Sequence, residues 1–183
     1  HLTSSTVATP TYDPTTYERT ADEVNTTYNS YDAQGKRSKR VETINGVEET
    51  SRFFYMGNAV LYTSDENNKL LTENILDLGG TTIMSYRFLW PYQAQTTEFA
   101  NQWFTSRYDV RGSVTNITNP GGQLVKGYKY SEFGQTQGVG KDSFTNELTF
   151  TGSVKDTSTG LQYMNARFYQ PETGRFLSQD TYS

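Results

Sequence analysis

Residues 108–114 read Tyr-Asp-Val-Arg-Gly-Ser-Val, and this stretch has two near copies in the 183-residue chain. The copies begin at Tyr31, as Tyr-Asp-Ala-Gln-Gly, and at Tyr130, as Tyr-Ser-Glu-Phe-Gly. Each unit has a tyrosine, an acidic residue one or two positions later, and a glycine four positions after the tyrosine. Repetition of such a unit predicts a series of similar supersecondary elements stacked side by side.

Each residue type in the unit has its own expected role. The tyrosine ring packs on a sheet face, and the acidic side chain caps backbone N–H groups of the following turn. The glycine adopts a backbone conformation that a Cβ atom disfavours. Because one unit cannot bury its own apolar flank, it requires a neighbour. The predicted repeat residues are Tyr31, Asp32, Gly35, Tyr108, Asp109, Gly112, Tyr130 and Gly134.

The composition excludes several kinds of site. With 16 Lys+Arg against 20 Asp+Glu, the net charge of -4 argues against nucleic acid as a partner. The chain has no cysteine, and its one histidine is His1, so disulfides, thiolate catalysis and catalytic triads are excluded. No apolar run approaches the ~20 residues of a membrane span, and no signal-peptide pattern opens the chain. We therefore predict no metal, no cofactor and no membrane span, in a mature or excised chain.

The balance of residue types favours strands and turns. Hydrophobic residues make up only 33% of the chain, but aromatic residues make up 14%, and threonine, glycine and asparagine are common. Large rings can supply a core when aliphatic residues are scarce. Residues of these types fit strands and turns better than helices.

The local patterns divide the chain into five segments. We expect an irregular lead-in over residues 1–27, with a helical turn near 17–24, and a β-meander over 28–80. An aromatic insertion follows over 81–104, with a short helix at 97–104, then further hairpins over 105–149 and a C-terminal motif over 150–183. Asn45-Gly46 is typical of a two-residue hairpin turn. Strands are predicted at 39–44, 47–55, 59–63, 70–77, 108–118, 124–130 and 161–169.

The C-terminal motif is the most specific pattern in the chain. Residues 150–152 read Phe-Thr-Gly, residues 159–169 read Thr-Gly-Leu-Gln-Tyr-Met-Asn-Ala-Arg-Phe-Tyr, and residues 171–180 read Pro-Glu-Thr-Gly-Arg-Phe-Leu-Ser-Gln-Asp. This motif resembles the repeat-associated core motif of the Rhs family. The tyrosine units resemble the YD repeats of the same family, which includes toxin-complex components and teneurins. The threonine-rich sequence is most similar to wall-associated YD-repeat proteins of Gram-positive bacteria.

The resemblance implies an all-β fold of consecutive antiparallel hairpins that form a curved ribbon, one segment of a hollow shell. In the family the shell encloses a C-terminal toxin polypeptide, and the chain cuts itself just beyond the core motif with Asp carboxylates. The implied partners are the rest of the shell and its toxin cargo, and the implied location is secreted or cell-wall associated. Open strand edges would also favour self-association.

The resemblance also nominates residues of the C-terminal motif. By its position, Asp180 is similar to acidic residues near the self-cleaving site, and Arg175 would support it. The alternative for Asp180 is a turn-capping role. Arg167 and Arg175 lie beside aromatic residues, so a packing role is the alternative for both, and Gly174 is assigned to the last turn. If Arg175 neutralises a buried partner, its loss would cost about 2 kcal/mol or more.

Two charged stretches have competing interpretations. The basic run at residues 36–40 could contact anionic wall polymers or nucleic acid. A solvated strand face is the simpler interpretation, with cross-strand pairing to Glu42, Glu48 and Glu49. Residues 65–68, Asp-Glu-Asn-Asn, could offer oxygen ligands to Ca²⁺ but lack the glycine and distal glutamate of a calcium loop. A hairpin loop is therefore favoured there.

The aromatic insertion is the basis of an alternative function. Trp90, Tyr92 and Trp103 could form a platform on which sugar rings stack, which would make the chain a carbohydrate-binding module at a cell surface. A hydrophobic plug is the competing interpretation of the same cluster. The repeats favour the shell segment over this alternative.

Overall fold

The computed structural model describes residues 4–12, 19–44, 46–88, 97–144, 146–164 and 167–177. These residues form two antiparallel sheets and two 3₁₀ turns, at Thr97–Phe99 and Phe150–Gly152. The strands of the large sheet are β1 (Ser4–Tyr12), β2 (Arg19–Tyr31), β3 (Arg37–Ile44), β4 (Val47–Met56), β5 (Ala59–Ser64), β6 (Leu70–Leu76), β7 (Thr82–Arg87), β8 (Gln102–Tyr108), β9 (Val114–Thr118), β10 (Leu124–Tyr130) and β11 (Thr136–Gly140). The small sheet contains β12 (Val154–Lys155), β13 (Gln162–Met164), β14 (Arg167–Gln170) and β15 (Arg175–Phe176).

The large sheet is a strict meander. Its eleven strands follow one another in sequence order, and each pairs antiparallel with the next. The four strands of the small sheet follow the same rule. The all-β fold of consecutive hairpins is therefore confirmed.

One turn geometry recurs six times between the strands of the large sheet. The N–H of the first turn residue donates to the carbonyl four residues later, and the N–H of the fourth residue donates back to the first carbonyl. The fourth residue has positive φ in every one of these turns. It is glycine in all of them except one, where it is Asn68 with φ 63°. These turns begin at Asp32, Asp65, Asp77, Asp109, Asn119 and Ser131. The tyrosine pattern in the sequence reveals only half of them, because the turn itself requires only the capping residue and a fourth residue with positive φ.

Three expected segments differ from the structure. The described part of the lead-in is not irregular: β1 and the first part of β2 form a long hairpin there, and residues 19–24 are strand rather than helix. The predicted strand over 108–118 is two strands, because Tyr108 ends β8 and the turn at Asp109 separates it from β9. The predicted strand over 161–169 is the β13–β14 hairpin, in which Met164 pairs with Arg167.

The aromatic insertion is narrower than expected. Its flanks are the paired strands β7 and β8, and the predicted helix at 97–104 is only the 3₁₀ turn Thr97–Phe99. Residues 89–96 lie outside the described residues.

Two apolar clusters pack between the large sheet and the C-terminal residues. The first cluster joins β8, β9 and β10 to the following segment through Phe99, Phe104, Val114, Ile117, Val125 and Phe144. The second contains Leu161, Tyr163 and Phe168, with Tyr31 packed against it. The small sheet therefore lies on one face of the large sheet.

Contacts of the small sheet show that the large sheet is curved. The Tyr163 hydroxyl accepts a hydrogen bond from the Arg37 N–H at the β2–β3 turn, 2.9 Å away. The Tyr169 hydroxyl donates to the Phe133 carbonyl at the β10–β11 turn, 2.8 Å away. In a flat sheet these turns would lie eight strand spacings, or about 38 Å, apart. Because two adjacent short strands reach both turns, the face that they cover is concave.

Candidate functional site: a buried charge cluster on the concave face

Five charged side chains meet where the C-terminal segment crosses β3, and we call them the charge cluster: Arg37, Arg40, Glu42, Glu147 and Asp156. Arg37 Nη1 lies 2.6 Å from Asp156 Oδ1, and Arg40 Nη1 lies 3.2 Å from the same oxygen. Arg40 Nε lies 3.0 Å from Glu42 Oε2, and its Nη2 contacts Glu147.

The charge cluster is buried except for Glu147, whose side chain is 28% exposed. The side chains of Arg37 and Asp156 are 0% exposed, and that of Arg40 is 2% exposed. The interpretation of the basic run as a solvated strand face is therefore wrong for Arg37 and Arg40. The sequence places their carboxylate partner 119 and 116 residues away, so no local pattern could reveal the pairing.

The local geometry of β3 brings both arginines to the concave face. Arg40 and Glu42 are two residues apart on a strand, so they share one face. The register between β2 and β3 shifts between Ser30 and Tyr31. Near Arg37, the side chains of β3 therefore do not alternate strictly between the two faces of the sheet. The Arg37 guanidinium carbon then lies 4.5 Å from the Tyr163 ring centroid and 4.8 Å from that of Phe53.

The electrostatics of the cluster favour the charged form of Arg40. Burial by itself lowers the pKa of Arg40, but the nearby carboxylates of Glu147, Glu42 and Asp156 outweigh burial and hold that pKa above its usual range. Removing either partner of a buried ion pair destabilises the fold, because the remaining charge stays buried without a partner. The cluster therefore joins two parts of the chain.

Hydroxyl groups extend the same junction toward β2. The N–H and Oγ of Ser158 donate to Glu42 Oε1, over 3.1 and 2.9 Å. The Ser158 hydroxyl also contacts that of Thr27, which is fully buried in β2. Among the described residues, no group of three or more His, Cys, Asp or Glu side chains could hold a metal ion.

The predicted repeat residues lie in and beside the turns. The Asp32 carboxylate accepts from the N–H groups of Gln34 and Lys36, each over 2.9 Å. The Asp109 carboxylate accepts in the same way from Arg111 and Ser113. The N–H of Ser113 is the largest cause of the lowered pKa of Asp109.

The repeat tyrosines bond across the sheet. The Tyr108 hydroxyl donates to the Thr82 carbonyl, and the Tyr130 hydroxyl donates to the Val114 carbonyl over 2.6 Å. Tyr31 packs against Tyr163 of the small sheet, with ring centroids 6.4 Å apart.

The three repeat glycines and Gly174 have positive φ, from 66° to 81°. Two of them also leave no room for a side chain. A Cβ on Gly134 would lie 2.6 Å from the Phe150 ring, and one on Gly174 would lie 3.0 Å from the Phe133 ring.

Of the two residues nominated for self-cleavage, the structure describes only Arg175. Asp180 lies outside the described residues. Arg175 is exposed on β15, and no ion pair of Arg175 is found within the described part of the chain, so the expected cost of stranding a buried partner charge has no structural basis. Arg167 lies over the Phe176 ring at 4.0 Å, as a packing role requires.

The nominated sugar platform is only partly visible. Trp90 and Tyr92 lie outside the described residues. Trp103 packs edge-on against Tyr86, with ring centroids 5.2 Å apart, and Tyr86 packs against Phe88 at 4.8 Å. Residues 65–68 form a hairpin turn, in which the Asp65 carboxylate accepts from two backbone N–H groups.

A cavity of about 610 Å³ lies beside the charge cluster, between the C-terminal segment and one end of the large sheet. Its lining includes Tyr55, Met56, Tyr108, Leu148 and Tyr163. None of the helical turns described is long and apolar enough to cross a membrane.

Comparisons with known proteins find relatives by sequence and by structure. No protein-family model matches the chain. The tRNA3(Ser)-specific nuclease WapA of Bacillus spizizenii is 31% identical over 154 residues, which cover 82% of this chain and 6% of the relative. Toxin subunit YenC1 of Yersinia entomophaga is 27% identical over 82% of this chain and 16% of the relative. The chain therefore spans only a small part of these relatives.

Solved structures share the fold. The crystal structure of TcdB2-TccC3-Cdc42 matches with a TM-score of 0.66 and 20% identity over 95% of this chain and 9% of that chain. A Photorhabdus luminescens Tc holotoxin pore structure matches with a TM-score of 0.65 and 19% identity over 93% of this chain and 9% of that chain. With the repeat units and the C-terminal motif, the 31% identity to the WapA nuclease over 82% of this chain shows that the chain belongs to the Rhs/YD-repeat family.

Proposed function

We propose that this chain is a segment of the wall of a β-shell that encloses a toxin polypeptide and helps deliver it in competition between bacteria. The observation that carries the proposal is the uninterrupted order of eleven curved, antiparallel strands. A meander can be extended at either open edge without changing the strands already present. The WapA nuclease and the toxin subunit YenC1, which resemble this chain over 82% of its length, support the same role.

The proposed partners are further repeats of the shell and the cargo polypeptide that follows the C-terminal motif. The small sheet covers the concave face of the ribbon. In the proposed shell, this concave face would be the inner wall. Such a protein would act outside the cell that produces it, as a secreted or wall-associated toxin.

The containment role is tested on the full-length gene product. The polypeptide beyond the C-terminal motif should resist added protease at least tenfold longer than the same polypeptide fused to an unrelated carrier. Equal digestion in the two contexts would contradict containment, because an enclosed chain is cleaved only after the enclosure opens.

We also propose that Asp180 takes part in self-cleavage just beyond residue 183, with a carboxyl group acting as acid or base. Its support is the position of Asp180 in the C-terminal motif. In the full-length product, Asp180→Asn should abolish the cleavage, and Asp142→Asn, which changes an exposed carboxylate, should leave it intact. Normal cleavage in Asp180→Asn would show that this carboxyl is not needed.

A further inference from the structure

The C-terminal residues 146–164, which we call the strap, touch strands that lie far apart in the large sheet. The Asn146 side chain bonds to Arg87 of β7 over 3.1 Å. The Thr149 carbonyl accepts from the Val114 N–H at the start of β9, over 3.1 Å. Asp156 pairs with Arg37 and Arg40 of β3. The strap therefore spans six strand spacings, or about 29 Å of a flat sheet.

We propose that the strap sets the curvature of the ribbon and that the charge cluster is the clasp which holds one of its ends. Within the described strands of the meander, backbone hydrogen bonds join each strand to its neighbours in the sheet, and bonds of that kind are also satisfied in a flatter sheet. The strap supplies the contacts that exist only when β3 and β9 approach each other. This inference concerns the 183-residue chain itself and does not depend on containment of a toxin.

The two ends of the strap are held by different chemistry. Near β9, Phe150 packs against Tyr130 and Tyr169, with centroid distances of 5.7 and 6.3 Å. At β3, Arg37, Arg40 and Glu42 make ion pairs and hydrogen bonds to polar groups of the strap, beside the packing of Tyr163 on Tyr31 and Arg37. Removal of one charge from the cluster leaves a buried, uncompensated partner, so the β3 end is the one that a single substitution can release.

The test is Asp156→Asn, which keeps the shape of the side chain and removes its charge. Release of the strap predicts a larger radius of gyration by small-angle scattering, with the β-sheet circular dichroism retained. It also predicts about tenfold faster hydrogen exchange at the amides of Arg37 and Ser158, which bond across the junction. The amide of Gly134, bonded within its own turn, is the internal reference.

Two further variants make the outcome decisive. Asp142→Asn is the matched control, since Asp142 lies just before the strap and its exposed carboxylate, within the described part of the chain, pairs only with Lys126. This variant should behave as wild type. Thr27→Cys with Ser158→Cys, added to Asp156→Asn, is a reversible lock, because the chain has no other cysteine. Oxidation should return the radius of gyration to the wild-type value, and reduction should release it again.

Three results would overturn the proposal. A wild-type radius and wild-type exchange in Asp156→Asn would show that the clasp does not hold the strap. Loss of the sheet signal in that variant would show that the strap cannot be separated from the fold. An expanded variant that stays expanded after the lock is oxidised would show that the strap does not set the curvature.

Discussion

Gly112 and Gly134 occupy the same position in two turns, but their surroundings differ. Both have positive φ, 79° and 81°, which costs an alanine about 1–2 kcal/mol. A Cβ on Gly112 meets nothing within 4 Å, whereas one on Gly134 meets the Phe150 ring at 2.6 Å. We therefore expect Gly134→Ala to lower the free energy of unfolding by about 3 kcal/mol, and Gly112→Ala by about half of that.

Urea unfolding measures both losses. Gly121→Ala is the control, because Gly121 lies in a similar turn without positive φ. Equal losses at Gly112 and Gly134 would mean that the contact with Phe150 is unimportant.

Buried tyrosines predict alkaline instability. Burial raises the pKa of Tyr108 and of Tyr128 to about 12, whereas an unfolded tyrosine titrates near 10. Because the folded pKa is the higher one, the stability from these groups is fully present below pH 10 and is lost as the pH rises from 10 to 12.

The melting temperature should therefore fall over that range, and Tyr128→Phe should make the fall less steep. Tyr28→Phe, at a tyrosine that is 58% exposed, is the control and should leave the slope unchanged. If the melting temperature fell equally steeply with pH in Tyr128→Phe and in wild type, ionisation of Tyr128 would not explain the fall.

At the scale of elements, the ion pair between Arg37 and Asp156 joins the large sheet to the strap. Either Arg37→Met or Asp156→Leu alone should cost about 3–5 kcal/mol, because each strands a buried charge. The double variant should cost much less than the sum, since it removes both charges. The coupling is measured by a double-mutant cycle in urea.

The control cycle uses Lys126→Met with Asp142→Leu. That ion pair has a similar separation of 3.1 Å, but the Asp142 side chain is 100% exposed, so we expect no measurable coupling. Similar coupling in the two cycles would contradict a special role for burial.

The elements that the sequence predicted are those fixed by short-range chemistry. Turns can be predicted from Gly112 and from the capping carboxylates of Asp32 and Asp109, because each of these groups acts on the neighbouring backbone. The β1–β2 hairpin was missed because its polar, threonine-rich strands lack the alternation that marks a half-buried strand. The Asp156 partner of Arg37 was missed because a single sequence contains no signal for a pairing across 119 residues.

At the scale of the whole molecule, the edge strands of the large sheet are β1 and β11. Among the described residues, β11 pairs only with β10, and most residues of β11 are exposed. Unpaired strand edges bind other strands, so we expect concentration-dependent self-association in sedimentation experiments. Val139→Lys, at an exposed edge position, should weaken the association without lowering the melting temperature. A monomer at all concentrations would contradict a sticky edge.

Curvature is the central claim, and one distance tests it. Cysteines introduced at the exposed residues Gln34 and Glu132 would place spin labels on the β2–β3 and β10–β11 turns, in a chain without other cysteines. Because Tyr163 and Tyr169 of the small sheet reach both turns, we predict a double electron–electron resonance distance below about 30 Å. A distance of about 38 Å or more, as in a flat sheet, would contradict the curved ribbon.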